Sequence, residues 1–131
     1  MDTTPKYIEM CEKAEEIQES RPPINPVTLY RLENGDVIDS KGSFIACVES
    51  NDCVLRYKYI WLPRQDELQE MVKESSLSES LTAFYHWNYD IGFIWKSDKE
   101  FTSMEQLWLA YVMQELYQKV WTGEEWVKED N

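Results

Sequence analysis

The sequence predicts an α+β fold in a single domain, residues 1–131. A small antiparallel β-sheet of about three to five strands packs against a buried C-terminal helix, with amphipathic helices at the N-terminus and in the middle. Three patterns carry that expectation. Residues 5–19 repeat apolar side chains at helical spacing, residues 27–61 alternate short β-like runs with turn signals, and LWLAYVM (residues 107–113) is an unbroken apolar run in an acidic chain. A hydrophobic content of 43%, with six Trp, eight Tyr and four Phe, is far above that of a disordered acidic tail, so the chain folds.

Thr4 can cap the first helix, and Pro5 at its first position loses no hydrogen bond it would have made. At 100° per residue Tyr7, Met10, Cys11, Ala14 and Ile17 share one side, and Glu9, Glu12, Glu15, Glu16 and Glu19 share the other. Arg21-Pro22-Pro23 and Pro26 end this helix at about residue 19. VTLYRL and VIDS then flank Asn34-Gly35, which supplies the positive φ angles of a two-residue hairpin turn. Lys41-Gly42 and Asn51-Asp52 turn the chain into SFIACVES and CVLRYKYIW, completing a meander. Its last strand puts Leu55, Tyr57, Tyr59 and Trp61 on one face and Val54, Arg56, Lys58 and Ile60 on the other. Pro63 ends the sheet.

Residues 65–73 read as a short helix with Leu68, Met71 and Val72 inward and Asp66, Glu67, Glu70 and Glu74 outward. In SLSESLTAFYHWNYD, Ser78 is a candidate cap for a helix carrying Leu81, Phe84 and Tyr85, and IGFIWK after it reads as one more strand. The last helix opens at Phe101, where Thr102 and Glu105 fit a capping box, and runs to about residue 121 with Gly123 as its stop. Its middle turns are apolar all round, which suits a central core helix packed by several elements; an exposed dimerisation helix is the alternative. LWLAYVM is far shorter than the roughly 20 residues a bilayer span needs.

Charge narrows the partners. The net charge is −12, and residues 66–131 hold five basic against fourteen acidic side chains. Such a chain is repelled by anionic lipid and by phosphate backbones, which argues against a membrane surface or direct nucleic-acid binding. Three cysteines without a disulfide framework, and an N-terminus without a basic leader or apolar signal core, point to a cytoplasmic protein with reduced thiols.

The candidates for chemistry are few. His86 lacks Ser or Cys partners at a recognisable spacing, so no triad is read there. Cys11, Cys47, Cys53 and His86 could in principle form a Cys3His zinc site, but no close-spaced ligand pair supports one. Asp36 and Asp39 flank the first hairpin, where Asp serves turns for backbone reasons. The four Gly residues are scattered singly, so no phosphate-cradling loop exists. No catalytic, cofactor or metal residue is assigned.

Three segments, KYIEMCEKAEEIQ, YIWLPRQDELQEM and FTSMEQLWLAYVMQELYQKVWTGEEW, together resemble a group of small uncharacterised proteins encoded in phages and prophages of Gram-positive bacteria. The likeness covers about 50 of the 131 residues and leaves out the segment between Lys73 and Glu100. It implies a phage accessory product in the bacterial host cytoplasm and carries no catalytic residues. In that setting the acidic helix faces suggest a function. Glu12/Glu16, Glu15/Glu19 and Glu70/Glu74 are like-charge pairs one turn apart, about 5–6 Å from each other, a spacing that can stand in for phosphates along a nucleic-acid strand. The expectation is a non-enzymatic inhibitor of a host nucleic-acid-handling or defence protein of the anti-CRISPR type. Its partner-binding residues would be Glu12, Glu16, Glu19, Asp66, Glu67, Glu70 and Glu74, with Trp87 and Trp95 as a second surface. A small-molecule binder or enzyme using aromatic residues 85–95, a phage assembly component and a homodimer are the other readings.

Overall fold

The computed structural model describes residues 2–22, 29–31, 37–39, 44–51, 54–94 and 101–128. The chain is α+β. Its contacts divide it into two compact units, Met1–Pro63 and Arg64–Asn131.

In the first unit, helix α1 (Pro5–Lys13) starts where the sequence predicts, with Thr4 Oγ1 accepting a hydrogen bond from the Tyr7 amide at 3.4 Å. The expected single helix is broken once. Ala14 leaves helical geometry at φ −84° and ψ 78°, and a separate helix α2 (Glu15–Glu19) follows. The inward face survives the break, because Tyr7, Met10, Cys11, Ala14 and Ile17 are all fully buried. Strands β1 (Leu29–Arg31), β2 (Val37–Asp39), β3 (Phe44–Asn51) and β4 (Val54–Trp61) form an antiparallel meander in sequence order. The longest pairing runs from Phe44 opposite Trp61 to Asn51 opposite Val54. The Asn34-Gly35, Lys41-Gly42 and Asp52 turn residues lie outside the described residues.

Helix α1 packs on β4. At that strand's end Ile60, Trp61 and Leu62 are all buried, so the alternation read from the sequence gives way to burial on both faces. Two side chains fix the contact. Gln18 takes both backbone groups of Trp61, its Oε1 accepting from the amide and its Nε2 donating to the carbonyl, each at 2.9 Å. The Tyr7 hydroxyl donates to the Pro63 carbonyl at 2.6 Å.

In the second unit, helix α3 (Gln65–Met71) buries Leu68, and the Arg64 amide donates to the Glu67 carboxylate at 3.0 Å. Glu67 is therefore half-buried as a cap, a departure from its expected place on the outer acidic face. Helix α4 (Leu77–Ile94) overturns the expected strand, since residues 91–94 of IGFIWK continue the helix. Its cap is Ser76 and not Ser78: Ser76 Oγ accepts from the Glu79 amide at 3.1 Å, and the Ser75 hydroxyl donates to the Glu79 carboxylate. Of the residues expected on this helix Phe84 is buried, with Ser80 and Trp87, while Leu81 and Tyr85 face solvent.

Helix α5 (Met104–Tyr117) buries Trp108, Leu109, Ala110, Tyr111, Val112 and Met113, so LWLAYVM is core apart from half-buried Leu107. The cap sits one residue later than predicted. Ser103 Oγ accepts from the Gln106 amide at 3.1 Å, and buried Gln106 Oε1 accepts from the Thr102 amide at 3.0 Å. The helix also ends early, at Gln118, which is left-handed at φ 53°. Residues read as its last turn form a hairpin instead, strands β5 (Lys119–Trp121) and β6 (Trp126–Lys128) joined through Gly123 at φ 103°. Trp121 and Trp126 are both buried and lie 5.1 Å apart between ring centroids. No helix among the described residues is long and apolar enough to cross a membrane.

Candidate functional site

On the first unit, the α1–α2 break leaves the acidic face in place. Glu9, Glu12, Glu15 and Glu19 are exposed, Glu16 is half-buried, and Lys13 pairs with Glu9 at 3.0 Å across one helical turn. Exposed ion pairs of this kind contribute only a few tenths of a kcal/mol. The face is thus strongly acidic, with Lys6 and Lys13 of α1 at its edge.

On the second unit, Asp66, Glu70, Glu74 and Glu79 are exposed around α3 and the start of α4. Arg64 Nε lies 3.2 Å from Asp66 and 3.4 Å from Glu67, and Lys73 lies 3.8 Å from Glu70. Asp66 and Glu70 line a cavity of about 240 Å³ between α3 and α4, together with Gln69, Lys73, Leu77, Ser80, Leu81 and Trp108.

Helix α4 is held from behind by aromatic packing on α5. Phe84 stacks on Trp108 with centroids 3.8 Å apart and planes 7° from parallel, and Trp87 lies 5.1 Å from Tyr111. The Trp87 indole donates to Gln114 Oε1 at 2.6 Å. Trp87 is therefore core, which removes it from the expected second surface; Trp95 lies outside the described residues. Ser80 Oγ closes the α3–α4 connection, accepting from the Glu74 amide at 2.9 Å and donating to the Ser76 carbonyl at 3.2 Å.

With its inner face committed to α5, α4 shows solvent a different row. Leu77, Leu81, Tyr85 and Tyr89 are 72%, 48%, 64% and 56% exposed. They stand four residues apart, so each is turned about 40° from the last, and the row winds from the edge of the buried face at Leu77 to the far side at Tyr89. Met104 and Leu116 on α5 are exposed singly, whereas these four follow one another along one helix. Sequence reading missed the row because the cap was placed at Ser78 and no outward face was assigned; the S-x-x-E spacing of Ser76 and Glu79 is the signal that fixes the helix start.

The other candidates resolve simply. His86 is exposed and meets the Tyr85 ring edge-on at 5.9 Å. Cys11 is a buried free thiol, pushed up in pKa mainly by desolvation. The side chains of Asp36, Asp39, Cys47 and Cys53 lie outside the described ones. Among the described residues no group of three or more His, Cys, Asp or Glu is placed to hold a metal ion. The chain matches no protein-family profile, no curated protein and no solved structure.

Proposed function

We propose that this chain is a non-enzymatic binding protein whose exposed carboxylate-bearing helices engage a basic protein surface. The setting we infer is a phage accessory product acting in the host cytoplasm, and the target a host nucleic-acid-handling or defence protein of the anti-CRISPR type. One observation supports the reading above the rest: Glu12, Glu15, Glu19, Asp66 and Glu70 are all exposed on helices, and Glu74 is exposed on the connection that follows α3. Glu15 and Glu19 stand one turn apart on α2, a like-charge pair that costs a few tenths of a kcal/mol, and a single lysine at Glu19 would turn that cost into a gain. A fold needing only solubility has no use for that repulsion. A basic groove that releases counterions to rows of carboxylates does.

Capture from lysates of Gram-positive bacteria, with and without charge reversal, tests the proposal. The parent is expected to retain a basic partner at low salt, and a variant carrying Lys at Glu12, Glu19, Asp66, Glu70 and Glu74 is expected to lose it while its melting temperature holds. A partner retained equally by both proteins contradicts the proposal.

A further inference from the structure

The groove between α3 and α4 and the apolar row on α4 are continuous. Leu77 and Leu81 belong to both, lining the cavity and beginning the row that ends at Tyr89. From Leu77 to Tyr89 the row spans about 18 Å at 1.5 Å per residue, about three and a third helical turns. A cavity of about 240 Å³ takes two or three side chains, and the roughly 12 Å of the row that runs on past Leu81 is surplus to any compact small molecule. A helix laid along the row uses both. Its own i, i+4 side chains can sit beside Leu81 and Tyr85 while one enters the cavity.

Charge chooses among helices. The rim is acidic: Asp66 and Glu70 line the cavity with Lys73, whose charge is already engaged with Glu70 at 3.8 Å, and exposed Glu74 follows on the connection tied to lining Ser80. A second copy of this chain would bring the same carboxylates to the same rim, and like charges opposed across an interface cost several kcal/mol. A helix bearing Lys or Arg meets opposite charge there.

We propose that the α3/α4 groove and the Leu77, Leu81, Tyr85 and Tyr89 row form a docking surface for a basic amphipathic helix of a partner protein. This inference rests on the acidic-binding reading above and names the partner element it would recognise on the second unit.

The test uses the whole chain and a fluorescein-labelled idealised Leu/Lys peptide of about 18 residues, long enough to cover the row as a helix, beside a scrambled peptide of the same composition. The amphipathic peptide is expected to bind about tenfold more tightly than the scrambled one. Leu81→Gln with Tyr85→Gln is expected to weaken it roughly tenfold or more, with melting unchanged because both sites are exposed helix positions. Reversal of Glu12, Glu15 and Glu19 on the first unit is expected to leave it unaltered. Equal binding of the two peptides, or binding indifferent to the α4 pair, overturns the groove and leaves the acidic faces to be judged by charge-reversed capture. No binding of either peptide overturns the groove as well. Sedimentation showing a dimer of the chain that the α4 pair dissolves overturns it in favour of a second copy as the occupant.

Discussion

Cys11 shows how much a single buried atom can report. Its side chain is fully buried, and desolvation pushes the thiol pKa far above its ordinary 9.0, a hydrogen bond with Tyr7 offsetting part of the rise and the Asp2 charge adding to it. Tyr111 is raised above 10.0 for the same leading reason, with Glu115 and Glu74 adding to it. Both groups hold their protons more tightly in the folded chain than in the unfolded one. The stability they supply is whole below pH about 9 and drains away as the pH rises toward the folded values. Thermal melts across this range are expected to fall above pH about 9, less steeply in Cys11→Ala, and a variant with the parent's slope contradicts the assignment. Native alkylation followed by peptide mapping is expected to spare Cys11 until the chain unfolds. Leu109, fully buried in the middle of α5, is the packing counterpart: Leu109→Ala is expected to cost about 2–5 kcal/mol, and a melting point within a degree or so of the parent's contradicts its central place.

At the scale of elements, the ends of helices decide what the sequence conceals. Gln118 closes α5 in the left-handed region, where a Cβ costs about 1–2 kcal/mol that glycine does not incur. Gln118→Gly is therefore expected to stabilise the chain by roughly 0.5–1 kcal/mol, net of the 3.2 Å bond from its amide to the Glu115 carbonyl. Urea titration showing a destabilised variant would mean that this side-chain bond outweighs the strain. Ser76→Ala is expected to cost about 0.5–2 kcal/mol as a lost cap, and Ser78→Ala close to nothing. The same ends explain which elements could be read. The α1 face, the four-strand meander and the α5 core were legible because cap, period and turn signals agree there. Helix α4 was not, because Leu77, Leu81, Tyr85 and Tyr89 on one side and Phe84 and Trp87 on the other leave no apolar stripe to find. The β5–β6 hairpin was hidden by the absence of Gly or Pro before Gly123, so the helical pattern ran on past its true end. Of the site, the carboxylates were visible as residue types; what needed coordinates was that Glu67 caps α3 and that Trp87 faces α5.

For the whole molecule, the net charge is −12, and among the described residues Glu12, Glu15, Glu19, Asp66, Glu70 and Glu74 are solvated while Tyr7, Phe84, Trp87, Trp108, Tyr111, Trp121 and Trp126 are packed inside, so at these positions charge and stability are largely separable. Reversing exposed carboxylates relieves like-charge pairs and should leave the fold as stable or slightly more so, whereas reversing Glu67 should not, because its carboxylate accepts the Arg64 amide. This separation makes binding measurable apart from folding. The most direct test is the affinity of the captured partner for the parent and for the variant carrying Lys at Glu12, Glu19, Asp66, Glu70 and Glu74, measured at low and at physiological salt. The account predicts tight parental binding that weakens steeply as salt rises, and loss of binding in a variant that melts like the parent. An affinity unchanged by all five reversals and by salt would contradict it.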